Sequence, residues 1–133
     1  MRFDVPTIDN ETEPWWSATR EHRLLYKVCG SCDHRYWYPR DFCPQCWSED
    51  TSWVQASGRA TLYTYSMVQS NDLPPWNERV PYVAAVVDLD EGPRMNTFML
   101  DVDESELTIG MALEVSFHDD DAEGFSLPVF RPA

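Results

Sequence analysis

Four cysteines, set as Cys29-x2-Cys32 and Cys43-x2-Cys46 with ten residues between the pairs, constrain this chain more than any other feature. A two-residue gap lets both sulfurs of a pair converge on one ion from a tight turn. Two such knuckles supply a closed tetrahedral shell of four thiolates, with zinc–sulfur bonds of about 2.3 Å. Every cysteine of the chain is used, and Pro44 lies inside the second knuckle. A redox dithiol needs only one pair, so the pattern reads as a zinc ribbon; iron fits the same shell and stays open. Catalytic zinc keeps a free position and usually draws on histidine or carboxylate. Four thiolates close the shell, so the zinc is expected to be structural. Binding of this type contributes on the order of 10 kcal/mol to folding in small peptides, enough to organise a segment with no core of its own. His34, two residues beyond Cys32, reads as solvent-facing or hydrogen-bonded rather than as a fifth ligand.

The chain has 133 residues, room for one ordinary domain or two very small ones sharing a core. Six Trp, six Tyr and six Phe are more than a disordered chain carries. The formal net charge is −13, and four thiolates with one zinc take it to about −15. Residues 1–59 hold seven Arg/Lys against nine Asp/Glu, a net of −2, whereas residues 60–133 hold three Arg against fourteen acids, a net of −11. A nucleic-acid binder needs a basic footprint to neutralise phosphates, so DNA and RNA are not expected partners. No window approaches the run of about 18 apolar residues that a membrane span needs, and the N-terminal MRFDVPTIDNETEPWW has no apolar signal core. The expected location is the cytoplasm, where thiols stay reduced and paired cysteines point to metal before disulfide.

Along the chain, Thr12-Glu13-Pro14 predicts a helix start, with a capping hydroxyl, an acid at the positive end and a proline in the first turn. Trp15, Thr19, His22 and Tyr26 share one helical face, and the helix is expected to end near Arg23, since Leu24 to Val28 also reads as a short strand. Asp33 to Arg40 is aromatic and strand-like, turned by Pro39. After Gly58 five strands are predicted: Thr61–Val68, Tyr82–Leu89, Arg94–Val102, Ala112–Phe117 and Phe125–Phe130, with Asp119-Asp120-Asp121 in the last loop. The low polarity of Tyr82–Leu89 predicts burial on both sides. Five strands with short turns fit a small barrel. The long connection Gln69–Pro81 carries Pro74, Pro75, Trp76 and Pro81, and loops of that length tend to be functional. The expected organisation is an N-terminal helical segment at 1–28, a zinc ribbon at 29–53 and a barrel at 54–133.

No catalytic constellation is legible. His22, His34 and His118 have no Ser or Cys beside them in a nucleophile motif, and there is no glycine-rich phosphate loop. The acids of Asp88-x-Asp90-Glu91 and Asp101-x-Asp103-Glu104 sit where turns are expected. Trp15, Trp16, Trp47, Trp53 and Trp76 cluster near the helix, the ribbon and the long loop. They either fill the seam between ribbon and barrel or form a docking surface for another protein or an apolar ligand.

Taken together, Trp16, Leu24 to Cys32, Pro39-Arg40-Asp41-Phe42-Cys43-Pro44-Gln45-Cys46, Ser57-Gly58-Arg59, Pro81-Tyr82-Val83-Ala84, Leu89-Asp90-Glu91-Gly92-Pro93-Arg94, Ile109-Gly110-Met111 and Pro128-Val129-Phe130-Arg131-Pro132 resemble one family along nearly the whole chain. It is the zinc-ribbon/OB-fold family of acyl-CoA-associated proteins, formerly a domain of unknown function. Two positions depart from its pattern: Asp33 stands where the family often has Gly, and Ala60 where a second Gly is common, so the knuckle and first barrel strand are expected to bend differently. The resemblance implies a mainly β fold: a helical hook, a rubredoxin-like ribbon held by Cys29, Cys32, Cys43 and Cys46, and a five-stranded OB barrel. It implies a non-catalytic, hetero-oligomeric partner of thiolase-superfamily enzymes acting on acyl-CoA, the best specific match being a lipid-transfer-protein-like aldolase of steroid side-chain degradation. Trp15, Trp16, Trp76, Arg40, Arg59 and Arg94 are the expected partner or ligand surface. The alternative is an independent acyl-CoA binding module whose phosphate contacts come from Arg35, Arg40, Arg59 or Arg94.

Overall fold

The computed structural model describes residues 2–133. Its single α-helix among these residues, α1 (Glu13–Arg20), starts differently from the expectation. The Thr12 hydroxyl does not cap the helix. It donates to the Asp9 carboxylate at 3.0 Å, which also accepts from the Thr12 amide at 2.9 Å. The Asp9 carbonyl accepts from the Glu13 amide at 2.8 Å. Asp9 therefore brings its charge to the positive end of the helix, and the Thr12 amide and hydroxyl hold its carboxyl below the usual range. The helix stops at Arg20, three residues short of Arg23. The Arg23 amide donates back to the Ala18 carbonyl and the His22 amide to that of Thr19, closing a Schellman motif on His22 at φ 58°. His22 thus leaves the face it was expected to share with Trp15 and Thr19, and Tyr26 lies in a strand.

Three antiparallel strands make the ribbon sheet: β1 (Leu25–Cys29), β2 (Arg35–Tyr36) and β3 (Thr51–Gln55), in the order β2-β1-β3. The aromatic stretch 33–40 contributes only two residues to pairing. The sheet takes residues from both sides of the expected boundaries at 28/29 and 53/54, because β1 needs β3 along its full length, from Leu25 opposite Gln55 to Cys29 opposite Thr51.

The second sheet holds β4 (Arg59–Val68), β5 (Tyr82–Leu89), β6 (Arg94–Met99), β7 (Ala112–Asp120) and β8 (Phe125–Pro132), in the order β6-β5-β4-β7-β8, antiparallel throughout. Its two edges curl together, and the Thr97 hydroxyl of β6 donates to the Pro128 carbonyl of β8 at 3.0 Å. This is a five-stranded OB barrel. A bulge in β4 sets Leu62 opposite Val87 and Thr64 opposite Val86, with Tyr63 as the extra residue. The inward parity then changes from Ala60 and Leu62 to Tyr65 and Met67. The barrel centre is filled by Leu62, Val83, Val87, Met95, Met99, Leu113 and Phe130, each 1% exposed or less. Trp15, Ala18, Leu24, Leu25 and Tyr26 join the same cluster, so hook, ribbon and barrel share one core.

Several strand expectations are corrected. β5 is fully buried on one face only: Val83, Ala85, Val87 and Leu89 point inward, while Ala84, Val86 and Asp88 alternate with them, half-buried, on the outer face. β6 ends at Met99 rather than Val102, and Asp101 turns the chain at φ 57°. β7 runs through Asp119 and Asp120, which pair with Ser126 and Phe125 instead of sitting in the loop. In the Gln69–Pro81 connection, Trp76 opens a 3-10 turn (Trp76–Glu78) and packs between Phe98 at 4.3 Å and Tyr82 at 4.9 Å.

Candidate metal centre and its surroundings

β1 delivers Cys29 at its end, and the two knuckles then repeat one local geometry. The Ser31 amide donates to the Cys29 sulfur at 3.3 Å and the Gln45 amide to the Cys43 sulfur at 3.4 Å. The Asp33 amide donates to the Cys29 carbonyl and the Trp47 amide to that of Cys43, at 3.0 and 2.9 Å. Each closing residue is left-handed, Asp33 at φ 62° and Trp47 at φ 68°. This conformation is the one glycine adopts most easily. Asp33 enters it without glycine, and the first knuckle closes with the same hydrogen bonds as the second. Gly30 allows the loop before β3 to press against the first knuckle: a side chain there would run into the Asp50 carboxylate, and the Gly30 amide donates to the Asp50 carbonyl at 2.7 Å.

The four sulfurs all lie within 4.8 Å of one another, with Cys29 and Cys46 at 3.5 Å and Cys32 and Cys43 at 3.7 Å. Sulfurs at tetrahedral corners around one ion, with bonds of about 2.3 Å, stand roughly 3.8 Å apart. Cys29 and Cys43 are fully buried and Cys46 is exposed. The His34 amide favours the Cys32 thiolate, but burial and the three neighbouring sulfurs outweigh it and push that thiol up to about 12. Burial opposes ionisation of Cys29 as well, yet the Cys32 and Ser31 amides bring it down to about 7. Four thiolates at this spacing need a cation among them. No histidine or carboxylate joins the group among the described residues. The donor set is that of a structural zinc ion, which would tie β1, the first knuckle and the second knuckle into one unit.

The other expected site residues divide. Trp15 (4% exposed) and Trp76 (8%) are buried, so little of either ring reaches the surface, as in the reading that places the tryptophans in a seam. The Trp15 ring nitrogen donates to the Leu25 carbonyl at 3.0 Å, and Trp76 lies on Tyr82 and Phe98 beneath the Arg79 guanidinium. Trp16 is half-buried, edge-on to Phe125. It borders an apolar hollow of about 230 Å³ with Trp37, Pro39, Phe98, Leu127 and Pro128. The hollow meets the outer face of β4, β5 and β6, where Thr64, Ser66, Ala84, Val86, Asn96 and Phe98 carry no charge. Arg59 is exposed beside Asp90 at 3.4 Å, and Arg94 is held by Asp88 at 2.6 Å. Arg40 lies 3.9 Å from Glu11. The His118 Nε2 accepts from the Arg79 guanidinium at 3.3 Å.

One polar cluster escaped sequence reasoning. At the hook's end, Arg20 donates to the Phe125 carbonyl, and the His22 ring contacts the Asp119 carboxylate at 2.9 Å while stacking on Phe117. Ser126 donates to the same carboxylate, and Arg2 pairs with Asp120 at 2.7 Å. The hydroxyl and the imidazole both bind the carboxylate rather than each other, so the group is a clasp between hook and β7–β8 and not a nucleophile relay. Arg20 and His22 stand about a hundred residues from their partners on β7–β8, so the sequence shows the histidine and the acids but not their meeting. Among the described residues no helix is long and apolar enough to cross a membrane.

Comparison with known proteins follows the same division of the chain. The family described as the rubredoxin-like zinc ribbon domain of ChsH2 matches residues 16–52, and that described as the C-terminal OB-fold domain of ChsH2 matches residues 53–118. A Thermomonospora curvata protein described as a probable enoyl-CoA hydratase alpha subunit is 33% identical over 128 residues, covering 96% of this chain. The chain spans only 39% of that protein's length. A Methanocaldococcus jannaschii DUF35 domain-containing scaffold protein is 31% identical over 104 residues, 77% of this chain and 73% of its own. A Geobacter metallireducens relative, the benzoylsuccinyl-CoA thiolase subunit BbsA, is 32% identical over 92 residues, 63% of this chain and 58% of its own. Among solved structures, a chain of the Ltp2-ChsH2(DUF35) aldolase superposes with a TM-score of 0.83 at 32% identity, covering 96% of this chain and 98% of that one.

Proposed function

From the premise that this chain belongs to the DUF35 family of ChsH2-type proteins, we propose that it is a non-catalytic accessory subunit of a thiolase-superfamily enzyme acting on an acyl-CoA. The observation that carries this reading is the match, nearly complete in both directions, to a chain of an aldolase complex. The thiolase-subunit relative and the scaffold relative support it, each in its own system. The best specific form is a lipid-transfer-protein-like aldolase cleaving a steroid side-chain CoA ester by a reverse-aldol step, with the reacting groups on the partner.

The chain's own chemistry suits that role. A closed four-thiolate centre has no open position for a substrate, so its contribution is rigidity. Trp16 and the apolar hollow beside it, backed by buried Trp15, offer the partner a shaped and uncharged surface. Such a subunit would order partner loops and keep water from the reacting centre. Its work belongs in the reducing cytoplasm, where the thiols remain available to zinc.

The test is purification of the tagged chain from its host, with identification of what accompanies it. The expected result is a thiolase-superfamily subunit in fixed stoichiometry, inactive on its acyl-CoA when this chain is removed and restored when it is added back. A partner fully active alone, or turnover of an acyl-CoA by this chain unaided, would overturn the proposal.

A further inference from the structure

The four sulfurs of the metal centre are alike in chemistry and unlike in access. Cys29 and Cys43 are wholly removed from solvent, Cys32 is half-buried, and Cys46 is exposed. The difference follows from where the knuckles sit. β1 carries Cys29 out of the ribbon sheet, and the loop before β3 presses on the first knuckle, where the Gly30 amide meets the Asp50 carbonyl. The outer turn of the second knuckle stands in water: Pro44, Gln45, Cys46 and Trp47 are exposed in succession. One sulfur of the closed shell is therefore open to small molecules from outside.

Oxidation of a cysteine follows thiolate character and exposure together. A metal ligand must be a thiolate, so all four meet the first condition, and exposure singles out Cys46. A second sulfur is already against it: that of Cys29 stands 3.5 Å away. Redox-sensitive cysteines are built in this way, one accessible sulfur beside another that can close a disulfide. Charge then selects the oxidant. The chain carries a formal net charge of −13, and a four-thiolate zinc shell adds about −2 at the site itself. An anionic oxidant such as glutathione disulfide is repelled, whereas an uncharged hydroperoxide is not.

The geometry points to Cys46 as a site of oxidation by hydrogen peroxide that unlocks the ribbon through a Cys29–Cys46 disulfide. The Cys46 thiolate attacks one peroxide oxygen: a sulfur–oxygen bond forms, the oxygen–oxygen bond breaks, and hydroxide leaves. The Cys29 thiolate then attacks the Cys46 sulfur, forming the disulfide and expelling a second hydroxide. Each sulfur has given up one electron, and the peroxide has been reduced to two hydroxide ions. Only Cys32 and Cys43 remain as thiolates, one from each knuckle, too few to close a tetrahedral shell. β1 and the knuckles then lose their tie, while the barrel keeps its apolar core. A dithiol reverses the step by exchange and restores the four ligands. The site goes beyond the accessory-subunit reading and does not depend on it.

The test treats the full zinc-loaded chain with limiting hydrogen peroxide. A chromogenic chelator follows released zinc, mass spectrometry maps the cysteines, and dimedone in a parallel sample traps sulfenic acid. Release is expected to rise in proportion to peroxide, with dimedone on Cys46 first and Cys29–Cys46 as the first disulfide. Dithiothreitol with added zinc should restore the metal content. Glutathione disulfide at the same concentration should release zinc about tenfold more slowly. Three cysteines and one histidine also form structural zinc sites, so Cys46→His keeps a ligand while removing the nucleophile. Its release by peroxide should fall about tenfold or more. The cysteine map of the parent chain decides the matter even where that variant holds no zinc. Release at a rate independent of peroxide would mean that only the metal-free chain is oxidised. That result, dimedone spread evenly over the four cysteines, a first disulfide without Cys46, or undiminished release from zinc-loaded Cys46→His would overturn the proposal.

Discussion

The ribbon and the barrel solve the same problem with different materials. The barrel closes over seven side chains that are almost wholly removed from water, and burial of that apolar surface is its main support. The ribbon has one strand of two residues, and its knuckles place Cys29 and Cys43 where another fold would place Leu or Phe. Even its buried Lys27 is kept by local polar means, over the Trp53 ring at 4.7 Å and on the Thr51 hydroxyl at 3.3 Å. A segment this small buries too little apolar surface to hold itself, so coordination replaces the core. The lesson is that the two halves should fail under different insults, although one apolar cluster runs through both.

The largest effect should come from metal removal. A strong chelator, or Cys43→Ser, is expected to forfeit a contribution on the order of 10 kcal/mol. Amide exchange should then become fast in β1, both knuckles and β3, while β5 and β7 stay protected. Equal loss of protection in the barrel would break the comparison. The proton linkage has a definite sign. Cys32, pushed up to about 12 without metal, must lose its proton on coordination, so zinc binding releases protons and weakens as pH falls. Competition with a chromogenic chelator across pH 6–8 measures it.

An insult to the barrel comes next. Phe130→Ala removes a ring that is 1% exposed and should cost about 3–5 kcal/mol. Denaturant unfolding would measure the loss, and metal content at low denaturant should remain one per chain. Loss of metal in the native variant would show that the ribbon depends on the barrel's interior.

The smallest effect tests the clasp that joins the hook to the barrel. Asp119 is held below its ordinary range by the Ser126 hydroxyl and the His22 ring. A carboxyl depressed in the folded state stabilises above its unfolded pKa, about 3.9, and that gain disappears as pH falls through the folded value. Asp119→Asn should therefore be slightly less stable than the parent at neutral pH, with the difference in thermal midpoint shrinking to nothing in acid. A difference independent of pH would assign the effect to packing.

Much of this was legible because its causes are local. The cysteine spacing determines the knuckles, the β-rich apolar run Tyr82–Leu89 determines a strand though not which face it buries, and the turn residues after Leu89 determine its end. The features that escaped depend on distant partners. Trp15 and Trp76 are amphipathic side chains, and their burial required knowing that Leu25 offers a carbonyl and that Phe98 and Tyr82 form a slot. Asp119 and Asp120 resemble a solvated loop until Arg2, His22 and Ser126 arrive from elsewhere in the chain. The early helix stop depends on His22 accepting a conformation usually left to glycine, which no propensity foretells.

The uncharged patch on the outer face of β4, β5 and β6, around Ala84, Val86 and Phe98, has a consequence for how this molecule meets others. Two copies approaching face to face carry like charge around neutral centres, and repulsion between them acts at a Debye length, about 8 Å at physiological ionic strength, before the faces touch. A body with a basic margin around its own apolar patch feels the opposite force over the same distance. The acid surplus thereby sorts encounters by sign before shape is consulted, and concentrated salt should blunt that discrimination while leaving the contact itself intact.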